Sequence, residues 1–455
     1  MLRALAVWLV AWMCVLPAAK AWAKPLAICV FQADATPPLG SPLCDGAVAP
    51  AKEIVDPLSV RGLVLLGNEA PIVLCAFDWV GIGNGGYDVF RAKLARAAGT
   101  TVDRVALHTL HQHDAPGCDF EAEALLAVQG LSGAMFHVAF ARQTINAAAA
   151  ALRQSLSQPQ TVTHLGVGIG RVENVASNRR VLGPDGKVKY VRYSASNIAE
   201  ARAAPEGVID PDVRVLSFWN GDRPLAALSY YATHPQSYYG QGGVSFDFVG
   251  MARAQREAAL PGVRFVHFNG AAGNVAAGKY NDGAPENRPL LASRLAAGMA
   301  AAWNATTRTP IATSDVGWRT RDVKLPLRDT LVDETPLVEL LANKGAKVSD
   351  RVRAANDLVW IRREKAGRAI QLSCLRLGPA YVMHMPGELF VEYQLAAAAM
   401  KPESTVCMAA YGDYGPGYIG TKIAYSQGGY ETSYVSRVAP EVENVLLEAI
   451  GELLK

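Results

Sequence analysis

None of the seven cysteines is spaced C-x-x-C, which removes a zinc-ribbon or thioredoxin-like reading. G-x-S-x-G, the phosphate-binding G-x-x-x-x-G-K-[ST] and H-E-x-x-H are also missing. Serine hydrolases, P-loop NTPases and zincin proteases therefore start without a motif. No run beyond the first 23 residues reaches the roughly 18 uninterrupted apolar positions of a membrane-spanning helix. There is no fixed-period repeat, low-complexity tract or long charged linker. Charge is scarce: 19% of positions carry it, with 44 Lys and Arg against 41 Asp and Glu. Two of those bases, Arg3 and Lys20, lie in a leader-like segment, leaving 42 against 41, a net +1. Such a balance offers no electrostatic footprint for nucleic acid or an anionic membrane surface.

What is present is apolar. Hydrophobic residues make up 50% of 455 positions, enough for a large buried core, which excludes disorder and fibrous repeats. Arg3, the apolar stretch 4–16 and the small-x-small sequence Ala21-Trp22-Ala23 have the form of a secretory leader. Residues 1–23 are expected to be removed, residues 24–455 to form one domain, and the protein to be secreted or periplasmic. Loss of Cys14 leaves Cys29, Cys44, Cys75, Cys118, Cys374 and Cys407. An even number in an exported chain permits disulfides, with pairing open, and buried free thiols are the alternative.

Strand-length apolar runs at 60–66, 71–77, 105–110, 213–219, 225–231, 263–268, 370–377 and 380–385 alternate with helical stretches at 87–98, 134–152, 388–400 and 440–454. Asn220-Gly221 is a hairpin signal. Hairpins mixed with crossovers predict an α/β fold, with mixed β-sheets flanked by helices in a single large domain. The polar stretch 321–353 is the best place for an insertion. Gly81 to Gly86 satisfies G-x-G-x-x-G, but the nearest acid, Asp103, stands before the next strand. A ribose-binding acid belongs at the far end of that strand, so a plain glycine turn is the better reading.

Chemistry concentrates in four places. His111-Gln112-His113 follows a strand. Side chains two apart on extended backbone share a face, and neutral imidazole suits zinc. A polar strand end is the alternative. His108, of opposite parity, should face elsewhere, and Asp114 lacks the spacing of the H-x-H-x-D-H hydrolases. His234, directly before Pro235, is held extended at a strand end, as a ligand or a hydrogen-bonded structural histidine. Glu388 follows Pro386-Gly387, where an acid also favours a helix start. The fourth place is the Gly/Tyr loop from Gly417-Tyr418 to Tyr430-Glu431, a composition common at surfaces and interfaces.

In order along the chain, these segments resemble the neutral, non-lysosomal ceramidase family. The resemblance begins at Asp34-Ala35-Thr36-Pro37-Pro38-Leu39-Gly40 and continues through Leu110 to Pro116, Asn178-Arg179, His234 and Ser245-Phe246-Asp247. Gly270-Ala271-Ala272-Gly273-Asn274, Pro386-Gly387-Glu388 and Tyr418 to Tyr430 complete it. Gln112 and Asp114 stand where the family has Thr and Ser, and the family's C-terminal immunoglobulin-like domain is not expected.

The resemblance implies one zinc ion per chain, held by His111, His234, Glu388 and Tyr418. His113 would pass a proton to a leaving amine, with Arg179 and Tyr430 donating to the oxyanion or a substrate hydroxyl. It further implies zinc-dependent hydrolysis of an N-acyl amide in a small amphipathic substrate, ceramide-type first, with peripheral membrane contact compatible. A zinc amidase or esterase acting on another small acyl compound and a non-catalytic exported binding protein are the alternatives. Asp247 is expected to orient a ligand imidazole, or else to cap a loop. His384 shares the strand parity of Glu388 and is read as structural.

Overall fold

The computed structural model describes residues 24–455, and the leader expected at 1–23 lies outside the described residues. Among the described residues, three sheets of four or five strands carry the fold. The first runs, edge to edge, Val105–Thr109, Ile72–Phe77, Ser59–Leu66, Ala27–Asp34 and Gln160–Thr161. The second runs Arg264–Asn269, Arg223–Tyr231, Asp212–Asn220, His164–Arg171 and Thr307–Pro310. The third runs Val316–Val323, Ile370–Leu377, Ala380–His384 and Thr405–Ala409.

Each sheet is antiparallel except for one parallel pair at an edge: Ile72–Phe77 with Val105–Thr109, Arg223–Tyr231 with Arg264–Asn269, and Ala380–His384 with Thr405–Ala409. Strands buried on both faces read as continuous apolar runs, and every residue of Ile72–Phe77 is buried. Helices Asn84–Ala98 and Val138–Ser155 pack on the first sheet. The second of these turns an i, i+3, i+4 stripe inward (Ala141, Ile145, Ala148, Ala149, Leu152). Asp247–Ala259 and Asn287–Asn304 pack on the second sheet, and Val391–Met400 and Val442–Leu453 on the third.

The carboxyl ends of the three parallel pairs meet. Strand Arg264–Asn269 touches both the first and third sheets, and backbone bonds stitch the ends together. Leu110 N donates to Phe77 O, Thr109 N to Tyr411 O, Ala410 N to Asn269 O and Gly270 N to Tyr231 O, all at 2.8–2.9 Å. Open α/β sheets bind ligands at the carboxyl ends of parallel strands. Here three sheets offer such ends to one place.

Several expectations need correction. The helix expected at 388–400 starts at Val391, and Glu388–Leu389 is instead a short strand parallel to Tyr418–Ile419. The cause is local: Gly417 O takes the Glu388 amide, whereas the Val391 amide goes to Asn274 Oδ1 at 2.9 Å. The stretch 321–353 is no appended insertion. It ends an edge strand of the third sheet and forms helices Thr335–Ala342 and Val348–Lys365, which bury Leu341, Val352, Leu358 and Val359 in the apolar core shared with the first sheet and its helices. The hairpin turn is Gly221-Asp222, since Asn220 already pairs with Arg223.

All six cysteines in the described chain are free. Cys29 and Cys75 lie on strands separated by a third, as do Cys374 and Cys407. Two strand spacings make roughly 9–10 Å, beyond disulfide reach. Helix Val442–Leu453 packs on the third sheet, and no immunoglobulin-like sandwich forms among the described residues. No helix among them is long and apolar enough to cross a membrane.

One buried ion pair ties the first sheet to the helix behind the second. Arg253 Nη1 and Nη2 meet Asp78 Oδ1 and Oδ2 at 2.7 and 2.8 Å, and Ser59 donates twice to the same carboxylate. Burial alone would raise Asp78, yet Arg253 and Ser59 hold it below the usual carboxylate value. Removing one partner of such a pair strands a buried charge. Asp78→Ala is therefore expected to cost about 3–5 kcal/mol, measured by urea unfolding. Because the folded-state pKa is depressed, the wild-type advantage should be complete at neutral pH and shrink as pH falls through the carboxylate range.

Candidate metal centre

His111 and His113 do not owe their common direction to strand parity. The strand ends at Thr109, and His111 has a left-handed backbone, φ 72°, rare for a residue with a side chain. That kink lets His111 N donate to Trp79 O while its Nδ1 meets Val80 O at 2.6 Å. His113 Nε2 then lies 3.4 Å from His111 Nε2. His234 leaves the end of Arg223–Tyr231 with Nδ1 2.6 Å from Ala272 O and 3.1 Å from Val275 O. Those carbonyls belong to the Gly270-to-Asn274 turn and the residue after it.

Glu388 arrives by a demanding backbone route. Gly387 has φ 58°, and a Cβ there would strike Gly417 O. Gly273 must likewise lack a side chain, because its Cα faces the Glu388 carbonyl. The result is a buried cluster: Glu388 Oε2 is 3.1 Å from His111 Nε2 and 3.0 Å from His234 Nε2. Tyr418, in register beside Glu388, brings its hydroxyl to 3.2 Å from His234 Nε2. The four residues named as ligands from sequence thus come together.

Both histidines bond a carbonyl through Nδ1. The proton belongs there, and a lone pair on each Nε2 turns inward. Glu388 adds a carboxylate oxygen. Three buried acceptors within 4.8 Å of one another fit a cation between them. Two imidazoles and a carboxylate, with a phenolic oxygen beside them, are a donor set suited to zinc. Burial pushes His234 and His113 below the ordinary imidazole value.

Arg179 is buried behind Tyr418. Its Nη1 donates to the Tyr418 hydroxyl at 3.0 Å and approaches His234 Nε2 at 3.3 Å, and its Nε is 3.3 Å from Glu431 Oε1. The guanidinium lies among the rings of Tyr193, Tyr418 and Tyr430. Tyr430 is half-buried and, with His113, Glu388 and Tyr418, borders one cavity.

Asp247 does not orient a ligand imidazole. It accepts from Ser237 and from the Phe248 amide and pairs with Arg288, so it fastens the Ser237 loop to the first turn of helix Asp247–Ala259. Main-chain carbonyls do the orienting instead. His108 faces away, bonded to Ala410 O, with its ring 5.4 Å from that of His384. His384 bonds Ser373 and stands outside the cluster.

Sequence reading missed three neighbours. The Tyr414 hydroxyl donates to Glu388 Oε1 at 2.8 Å, and the Tyr411 ring stacks on His111 at 4.7 Å. Glu431 pairs with both Arg179 and Arg180. A tyrosine density just ahead of Gly417-Tyr418 was the available signal for the first two. The glycine stretch from Gly81 is not a turn: Gly81–Ile82 is a short strand parallel to Gly117–Cys118 and Asn84 opens a helix, and Gly81 packs on Tyr414, since a Cβ there would meet that ring.

No protein-family model matches the chain, and no curated protein matches it. Among solved structures, a ceramidase complexed with C2 superposes with TM-score 0.69 at 17% identity, over 94% of this chain and 75% of that one. The neutral ceramidase of Pseudomonas aeruginosa superposes with TM-score 0.68 at 18% identity, over 94% and 74%. At such identity the shared property is the fold.

If the cluster holds zinc, purified protein will bind about one equivalent by elemental analysis. His111→Ala and Glu388→Ala should each lose it with circular dichroism unchanged, and His384→Ala should keep it. Tyr414→Phe should weaken zinc affinity roughly 10–100-fold, read by chelator competition.

Proposed function

We propose that this protein is an exported zinc-dependent hydrolase of an N-acyl amide, with residues 1–23 as its leader and residues 24–455 as one catalytic domain. The observation that carries the reading is the convergence of His111, His234 and Glu388, with Tyr418 beside them, on one buried point lined by acceptors. The shared fold with ceramidases supports it and offers ceramide-type amides as the first substrates to try. Zinc, when held there, supplies Lewis acidity and brings the ionisation of a water to near pH ~7.

The chain's own residues do the rest. Val80 O, Ala272 O and Val275 O fix the imidazole rings, and Tyr414 fixes the second oxygen of Glu388. His113 borders the cavity with an unpartnered Nδ1. Burial favours its neutral form, so it can take a proton and deliver it to the amine that leaves. Arg179 holds the Tyr418 hydroxyl and keeps a positive charge beside the reacting carbonyl, where negative charge develops. Tyr430 supplies a hydroxyl on the same wall.

A second reading keeps the chemistry and changes the substrate to a smaller acyl compound. Its support is the cavity, about 180 Å³ in volume, below the roughly 300–1,000 Å³ of pockets that take drug-sized ligands.

Hydrolysis of a short-chain ceramide and of small N-acetyl amides, followed by release of free amine, tests both. Activity should vanish with a chelator and return with zinc. His113→Ala should keep its zinc and lose about 10²–10⁴ in rate. Full turnover of zinc-free protein would end the proposal.

A further inference from the structure

The cavity beside the metal cluster has two kinds of wall. Deep in it lie Asp45 and Asp119. The Asp119 carboxylate is occupied by the Glu121 and Ala122 amides and by Asn84 Nδ2. Toward solvent a ladder of rings leads out. Tyr418 meets Tyr430 at 5.7 Å between centroids, and Tyr430 meets Tyr434 at 6.0 Å. The ladder ends on a cation: Arg353 Cζ sits 4.8 Å over the Tyr434 ring. Tyr434 is 57% exposed, so this is the mouth.

Arg353 is the loosely held cation of that wall. Its neighbour Arg437 is committed to Asp357 at 2.6 Å and to Gly415 O at 3.0 Å. Among the described residues Arg353 pairs with Asp350, three positions earlier on its own helix, at 3.2 Å and with both side chains more than a third exposed. Exposed pairs of this kind contribute little and exchange readily. A guanidinium laid on an aromatic face, with donors to spare, suits a carboxylate or phosphate. Met135 and Val435 are the aliphatic side chains of the lining, little cover for a long acyl chain.

We propose that the amide hydrolysed here is short and carries an anionic group remote from the scissile bond, read by Arg353 against Tyr434 at the mouth. This rests on the metal-hydrolase reading above and names the substrate class for the same site. The polar segment that adds nothing to the metal cluster, helix Val348–Lys365, thereby acquires a role in selection.

Two probe series decide it on the zinc-loaded full chain. N-acetyl ω-amino acids place the carboxylate on the amine side, and ω-carboxyacyl amides of small amines place it on the acyl side. Each is assayed beside its methyl ester and beside a short-chain ceramide. In one series the free acid should exceed its ester in kcat/KM by about tenfold or more. Arg353→Gln should remove that preference, and Arg353→Lys should restore part of it. Because the readout is the acid-to-ester ratio, a general loss of activity does not imitate the effect. Equal rates for acid and ester in both series, a ratio unmoved by Arg353→Gln, or best turnover of the ceramide overturns this inference and leaves the hydrolase reading intact. Zinc-loaded protein that cleaves nothing in either series, nor the ceramide, overturns the hydrolase reading and this inference with it.

Discussion

Two imidazole nitrogens and a carboxylate oxygen, each presenting a lone pair, sit 3.0–3.1 Å apart along their two contacts inside the protein. Held together without a cation, such a cluster is electrostatically poor, because its acceptors face one another and buried acceptors left short of donors cost free energy. Something must hold the three in place against that cost. The hydrogen bonds from Nδ1 to three backbone carbonyls do so on the histidine side, and Tyr414 does so for the glutamate. Most of the local backbone can be understood as the scaffolding for these bonds.

The scaffolding comes from three sheets. Each has a parallel edge pair, and each pair ends where a ligand or its support begins. The first delivers Val80 and His111, the second His234 and the Gly270-to-Asn274 turn, and the third Glu388 with the tyrosine loop. The two glycines that admit Glu388 show how tight the fit is, since a single methyl at either would collide with main-chain oxygen. Unusual backbone at His111 belongs to the same design: a strained residue persists where its surroundings over-determine it, and such residues gather at functional sites.

Outside the cluster the polarity changes in a graded way. Hydrogen-bonded groups, the buried Arg179–Glu431 pair among them, surround the cluster, tyrosine rings line the way out, and a half-exposed arginine stands at the end. The aromatic rings provide area with few rotatable bonds, and the cation adds a charge that water only partly screens at that exposure. One fold can serve different substrates through what lines the approach to its buried groups, because fold is separable from specificity.

The sequence determined the element types wherever an apolar run was long: Ile72–Phe77, Arg223–Tyr231 and Ile370–Leu377 lie within a residue or two of their apolar runs, because burial on both faces leaves a continuous signal. It also named the four residues that meet in the buried cluster, through ordered short motifs rather than any one spacing. What it did not carry was whatever depends on contact across the chain. The start of a helix at Val391 rather than Glu388 was decided by Gly417 and Asn274, residues far away in sequence. The orienting groups of His111 and His234 are carbonyls, which every residue has and no residue type announces. Tyr411, Tyr414 and Arg353 matter only because tertiary packing sets them beside His111, Glu388 and Tyr434. Residue type fixes what a side chain can do, and only the folded backbone fixes what it meets.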